Sequence, residues 1–280
     1  MKLLSKRSSR TKLILLIVAI LVSIPMIFPL YWIIVNSLKS DAEIFSRVPT
    51  FLPSAPAWEN YSKQFASPNM ISAIRSSFVV SICSMIISLL LSVPAAYGLA
   101  RFRMKWKKPF IMTFLVTQML PTSLMLTPLF LIFNKLHLLN NYLSAILSTA
   151  TISIPFIVLI LRPIFASIPR ELEEAAAIDG CSGFTAFIRI ILPIAKNGTV
   201  TSMCFAFVYA WNDLIYSITF NTKDNLRPLT TMVYNFLNLY GTHWNMIMAY
   251  GVIMVLPVLI MFIFLQRYIV EGLVAGSVKG

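Results

Sequence analysis

The stretch Glu171–Gly180, reading ELEEAAAIDG, carries Glu171, Glu173, Glu174 and Asp179, four of the ten acidic residues in a chain of 280. Carboxylates at this density present a surface for basic or polar groups of another protein. A second constellation lies at Trp211, Asn212, Asp213 and Tyr216, where aromatic faces stand beside hydrogen-bonding groups. Side chains of these types hold a sugar by stacking on its C–H faces and satisfying its hydroxyls. Bond-making chemistry has no comparable support. No G-x-x-x-x-G-K-[ST] phosphate loop occurs, and the Lys39-Ser40 pair lacks the glycines that would cradle phosphate. His137 and His243 are far apart in sequence and read as loop or interfacial side chains rather than a metal pair. Cys83, Cys181 and Cys204 have no paired spacing, so neither a disulfide framework nor a zinc site is indicated.

The elements that must position these groups follow from composition. The chain is 58% hydrophobic and 12% charged, with a mean hydropathy of +0.80, which places it in a bilayer. A helix needs roughly 20 apolar residues to cross about 30 Å of hydrocarbon. The runs 13–35, 76–100, 109–134 and 138–161 contain no charged residue, 197–221 is interrupted only by Asp213, and 246–265 ends before Gln266 and Arg267. Six spanning helices are expected. The net charge of +13 does not indicate nucleic acid, because the cations sit in short segments between spans. With the N-terminus inside, 16 of the 23 Lys and Arg residues fall on cytoplasmic segments, so both termini are placed in the cytoplasm. The 23-residue apolar core of the first run exceeds a signal peptide's and no A-x-A site follows, so it reads as an uncleaved helix.

These spans are not uniform rods. Pro25, Pro29, Pro94, Pro121, Pro128, Pro155 and Pro257 are expected to kink them or to mark packing against neighbours. Ser77, Ser81, Ser84, Ser88 and Ser92 draw a small polar stripe down the second span, which suits close helix packing with interhelical hydrogen bonds better than a solute-lined wall. The outer segment from Lys39 to Ile74, punctuated by Pro49, Pro53, Pro56 and Pro68, reads as a cap or docking surface.

Around the acidic stretch the local signals agree on a cytoplasmic helical hairpin. Pro169 opens a short helix, acids occupy its first turn, and Gly180 ends it. Ser182 caps a second helix that runs to about Leu192, where Pro193 is expected to break it. Ile168, Leu172, Ala175 and Ala176 form a modest apolar face, fit for another protein's groove. A helix lying on lipid would carry Lys and Arg instead.

Glu174-Ala175-Ala176, three residues, Gly180, nine residues, Ile190, one residue, then Leu192-Pro193 resembles, position for position, the EAA loop of binding-protein-dependent ABC importer permeases. Gln266-Arg267-Tyr268, Gly272-Leu273 and the run Ala275–Gly280 resemble the ending of the carbohydrate branch, the relatives of the smaller maltose-transporter permease; Trp211-Asn212-Asp213 is similar to a stretch common there. The resemblance implies an all-α membrane protein with six transmembrane helices and the type I ABC importer permease fold. It implies that Glu171–Gly180 is the coupling helix, with Glu173 and Glu174 facing an ATP-binding subunit. Glu171 and Asp179 add to that surface, Ala175 and Ala176 permit close approach, and Gly180 supplies the turn. Gly276, Lys279 and Gly280 would lie near the same partner. It further implies an ATPase dimer that holds ATP and Mg, with no cofactor on this chain, a second similar permease, an extracytoplasmic solute-binding protein and a sugar cargo, oligosaccharides first, in a bacterial plasma membrane.

The expected organisation is a cytoplasmic N-terminus (1–12), a first span (13–38), an external loop (39–70), an importer core (71–270, with the coupling loop at 166–196) and a cytoplasmic tail (271–280). Asp213 has two readings. It faces the solute pathway with Trp211, Asn212 and Tyr216, or it lies near the outer interface and pairs with Arg75 or water. Other ABC cargo, such as a polyamine, phosphate or amino acid, is the rival within this architecture. A secondary transporter is the rival outside it, but it would call for more intramembrane ionisable groups and leaves the acidic hairpin without a purpose.

Overall fold

The structure, a computed structural model, describes residues 9–238 and 241–277. In chain order the helices are α1 (Ser9–Ser37), α2 (Asp41–Ile44), α3 (Glu59–Ala66), α4 (Met70–Arg101), α5 (Lys107–Met119), α6 (Leu126–Lys135), α7 (Tyr142–Ser167) and α8 (Glu171–Ile178). They continue with α9 (Gly183–Ile194), α10 (Lys196–Trp211), α11 (Ile215–Phe220), α12 (Leu229–Met232) and α13 (Trp244–Ser277). Leu237–Asn238 and Gly241–Thr242 form a two-residue antiparallel ladder, with Leu237 opposite Thr242.

Four helices, α1, α4, α7 and α13, are long and apolar enough to cross a bilayer unbroken. The expected third and fifth spans are broken instead. α5 and the segment Thr122–Lys135 meet at 103°, and α9 meets α10 at 79°. Counted as one span each, the bent pairs bring the total to six. The third breaks at Leu120-Pro121, where Leu120 is extended at φ −78° and ψ 132°, the conformation a following proline ring imposes. Pro25, Pro29, Pro94, Pro155 and Pro257 lie inside continuous helices, and Pro128 falls in the first turn of α6, where a missing amide costs little. The fifth span ends at Trp211, ten residues before the expected end at Asn221.

The chain divides into two compact units, Met1–Ser67 with Val233–Val255, and Pro68–Met232 with Leu256–Gly280. In the second, α4 packs along α7 and α10 packs on both. The serine stripe faces this seam. Ser77, Ser81, Ser84, Ser88 and Ser92 are all buried. Ser88 and Ser153 share a hydrogen bond at 2.7 Å, the Thr149 hydroxyl donates to Ser84 Oγ at 2.9 Å, and Ser92 Oγ donates to the Ile154 carbonyl at 3.2 Å. Small side chains let the backbones close up, and each such bond contributes on the order of 0.6 kcal/mol in a membrane. Val93, Ala96, Ile157, Leu161, Phe165 and Ile191 fill the Arg101 end of the seam.

In the first unit the segment after α1 is tied down from within. Asn60 Nδ2 donates to the Ser37 carbonyl at 2.9 Å, and Gln64 Nε2 to the Met246 carbonyl at 2.9 Å. Lys39 is buried, its Nζ donating to the Thr50 carbonyl at 2.5 Å and lying 4.8 Å over the Trp32 ring. Glu43 Oε1 gathers the Thr50 hydroxyl and the Ser54 amide and hydroxyl. The Thr50 hydroxyl in particular holds its carboxyl below the usual range. His243 Nδ1 reaches Asp41 Oδ2 at 2.9 Å.

One contact in the second unit leaves no room to spare. A Cβ on Gly198 of α10 would lie 2.3 Å from Ile164 Cδ1 of α7. Gly198→Val is therefore expected to lower stability by about 1–3 kcal/mol, read as a fall in the thermal midpoint of detergent-purified protein, with Ile164→Ala recovering part of it. An unchanged midpoint in the single variant would remove the tight approach of α7 and α10.

Candidate coupling surface and solute-facing pocket

The acidic hairpin is built as its sequence suggests at three points. Glu171, Glu173 and Glu174 occupy the first turn of α8, favourable for carboxylates at the positive end of a helix. Gly180 sits at φ +80°, and the Cys181 amide donates to the Ala176 carbonyl at 2.9 Å while the Gly180 amide donates to Ala177 at 3.1 Å. This paired closure of a helix end needs a left-handed residue, which glycine supplies without a Cβ clash. The Ser182 hydroxyl then accepts from the Thr185 amide at 3.2 Å and starts α9.

Two expectations are corrected here. Pro193 does not end the second helix, which runs on to Ile194. Residues Phe187–Ile191 form wide turns in which the Leu192 amide reaches back to the Phe187 carbonyl. The loosened backbone relieves the clash of a proline ring with the carbonyl four residues earlier. Glu173 does not face outward. Its Oε1 lies 2.9 Å from Arg101 Nε, and the Tyr97 hydroxyl donates to the same oxygen at 3.3 Å. Arg101 Nη2 donates to the Ile168 carbonyl at 2.8 Å.

The surface left open differs from the expected apolar face. Ile168 and Ala176 are buried, so neither Ala176 nor Ile168 is available to a partner. Glu171, Glu174, Ala175, Asp179 and Gly180 are exposed, and Leu172 is partly so. Ile178 at 86% and Phe184 at 75% exposure supply the apolar contacts. Ile178 was legible as an aliphatic residue among acids at the end of α8; Phe184 required the hairpin's geometry. Gly276 lies within α13, and Lys279 and Gly280 lie outside the described residues.

Asn212, Asp213 and Tyr216 line a pocket of about 680 Å³. Gln118, Thr122, Ile152, Ser153, Phe156, Phe205, Val208, Tyr209, Leu214 and Ile215 complete its wall. Trp211 does not join them. It is buried at 2% exposure, edge-on to Phe78 at 5.0 Å and stacked with Phe207 at 5.4 Å. The aromatic side chains on the wall are Tyr216 with Tyr209, Phe156 and Phe205. Gln118, an amide in an otherwise apolar run, and Tyr209, one helical turn before Asp213, were the sequence signals for this wall.

Asp213 does not pair with Arg75. Its Oδ1 accepts from the Tyr216 amide at 3.2 Å, and Oδ2 accepts from the Ser217 amide at 2.9 Å and hydroxyl at 2.8 Å. The carboxylate thus satisfies the first free amides of α11, as a capping side chain does. The Tyr216 hydroxyl donates to the Thr122 carbonyl at 2.9 Å, tying α11 to the break after α5. Asp213 therefore borders the pocket and shapes it.

Comparison with known proteins assigns the class. The profile of the family described as binding-protein-dependent transport system inner membrane component matches residues 88–274, and the chain belongs to that family. It is 31% identical over 94% of its length to the diacetylchitobiose uptake system permease protein of Streptomyces coelicolor, covering 96% of that protein. It is 35% identical over 91% of its length to the sulfoquinovosyl glycerol transport system permease protein of Agrobacterium fabrum, covering 89% of that one. A crystal structure of a bacterial ABC transporter involved in the import of the acidic polysaccharide alginate contains a chain with the same fold. The TM-score is 0.77 and the identity 20%, over 94% of this chain and 98% of that one. The fold is accordingly that of the type I ABC importer permeases.

If Asp213 works as a cap, Asp213→Ala should cost about 1 kcal/mol, while Asp213→Asn, which keeps an oxygen acceptor, should cost less. Thermal midpoints of the two purified variants measure the difference, and equal losses would take the capping role away.

Proposed function

We propose that this chain is one of two permease subunits of an ATP-driven sugar importer, with ATP and Mg held by a separate ATPase dimer and solute delivered by an extracytoplasmic binding protein. The observation that carries the coupling role is the hairpin itself. It exposes carboxylates together with Ile178 and Phe184, on a segment whose Glu174–Pro193 spacing resembles the EAA loop, in a chain of this permease family. The 16 of 23 cations on the segments sharing its side support an orientation with hairpin and both termini in the cytoplasm of a bacterial cell. The division into a first span (13–38), an outer loop (39–70) and a core (71–270) belongs to the same reading.

A large apolar side chain buried at an interface contributes about 1.5–3 kcal/mol. Ile178→Asp with Phe184→Asp should therefore weaken rebinding of the purified ATPase to stripped membranes by tenfold or more. Rebinding should occur on inside-out vesicles and not on right-side-out ones. Undiminished rebinding by the variant would sink the coupling surface; rebinding to right-side-out vesicles would sink the orientation.

The pocket supports an uncharged saccharide. Its wall combines aromatic rings with Gln118, Asn212 and Asp213, and among the described residues it has no Lys or Arg to meet a uronate or phosphate. The names of the sugar-transporting relatives support a saccharide cargo, neutral in one case and sulfonated in another. In proteoliposomes holding the whole transporter, ATP-driven uptake is expected from a panel of neutral disaccharides and trisaccharides and not from a uronic acid dimer. Uptake of the uronate alone would exclude this reading of the pocket.

A further inference from the structure

Arg101 closes α4, and its side chain is 6% exposed although it lies at the end of a spanning helix, where a cation could reach water. Its side-chain hydrogen bond and its ion pair both go to the entry of the coupling helix. Nη2 donates to the carbonyl of Ile168, the residue that ends α7. Nε lies against Glu173, in the first turn of α8. The contact is returned from the other side, because Arg170 Nη2 donates to the Arg101 carbonyl at 3.0 Å. One turn earlier on α4, the Tyr97 hydroxyl holds the same Glu173 oxygen. Its ring packs 5.8 Å from Phe165 of α7 and 4.6 Å from Phe187 of α9.

We infer that Tyr97, Arg101, Arg170 and Glu173 form a clamp that makes α8 and the cytoplasmic end of α4 one rigid body. A push on the coupling helix then enters the α4–α7 pair through Arg101 rather than through the chain at 168–170 alone. This rests on the coupling role proposed above. Two features distinguish a clamp from an incidental surface pair. The guanidinium is withdrawn from water, so its charge is screened little and the loss of Glu173 leaves it unpaired. The connections also run in both directions, side chain to backbone each way, which fixes distance and rotation together. Glu173 and Arg101 are positioning residues here; Glu174 on the open side of α8 is left to meet the partner.

The test uses the whole transporter with its own ATPase, with Cys83 and Cys204 replaced by Ser. Nitroxide labels go on the native Cys181, just beyond α8, and on Leu90→Cys, an exposed position on α4. The distance between them is measured by pulsed electron paramagnetic resonance without nucleotide and after trapping with ATP and vanadate. In the otherwise native chain the distribution should be the same in both states, because the labels ride on one body. With Arg101→Met or Glu173→Gln it should shift or broaden by several ångströms on trapping, while the ATPase still copurifies. A nucleotide-dependent distance in the unmutated chain would overturn the clamp, as would an unchanged one in both variants. If Arg101→Met fails to assemble, the milder Glu173→Gln and the unmutated chain still decide. Absence of a copurifying ATPase from the unmutated complex would instead overturn the coupling reading.

Discussion

The close approach of α4 and α7 is the constraint on which the rest of the second unit depends. Lipid gives no hydrophobic drive to hold two apolar helices together, so they must gain more from each other than from acyl chains. The chain meets this with serines, threonines and alanines on the facing surfaces, bringing backbones near and leaving hydroxyls within reach of the opposite helix. Larger side chains point away and stay exposed, among them Leu90, Leu91 and Ile86. α10 joins at Gly198, where even one added carbon would collide with Ile164.

That pair carries different equipment at its two ends. At the Arg101 end, α7 runs directly into the acidic hairpin, and the Arg101 cluster joins that hairpin to α4. Toward the other end, Ser77 Oγ accepts the Leu229 amide and Ser76 Oγ shares a hydrogen bond with Tyr142. The pocket lies along the side of α7, where Ile152, Ser153 and Phe156 meet residues of α10 and α11. A displacement of the pair is therefore a displacement of one wall of the pocket. The hairpin and the pocket are thereby joined through one helix pair.

Much of this was legible in the residues. Continuous apolar runs marked the unbroken spans, and four-and-three spacing of serines marked the seam, because both follow from helix periodicity alone. Pro169, Gly180 and Ser182 marked the hairpin through turn and cap chemistry. The failures share a cause. Whether Glu173 looks outward or toward Arg101 depends on two residues 72 positions apart in sequence, and no local signal contains that distance. Trp211 was read as a pocket wall from its neighbours, whereas its face is set by Phe78 on another helix. Of the prolines noted in the spans, Pro121 marks the break because α6 could turn away beyond it, while those inside α1, α4, α7 and α13 remained in helices whose neighbouring turns stayed intact.

The break at Leu120-Pro121 also bears on how the middle of the chain is held together. α5 has thirteen residues, about 20 Å of helix, short of the roughly 30 Å hydrocarbon layer. Beyond it the backbone turns through 103°, presenting peptide groups that lipid cannot satisfy. The Thr122 carbonyl at this break receives its donor from Tyr216, 94 residues later in the chain, so a single hydroxyl joins the bend of the third span to the short helix that follows the fifth.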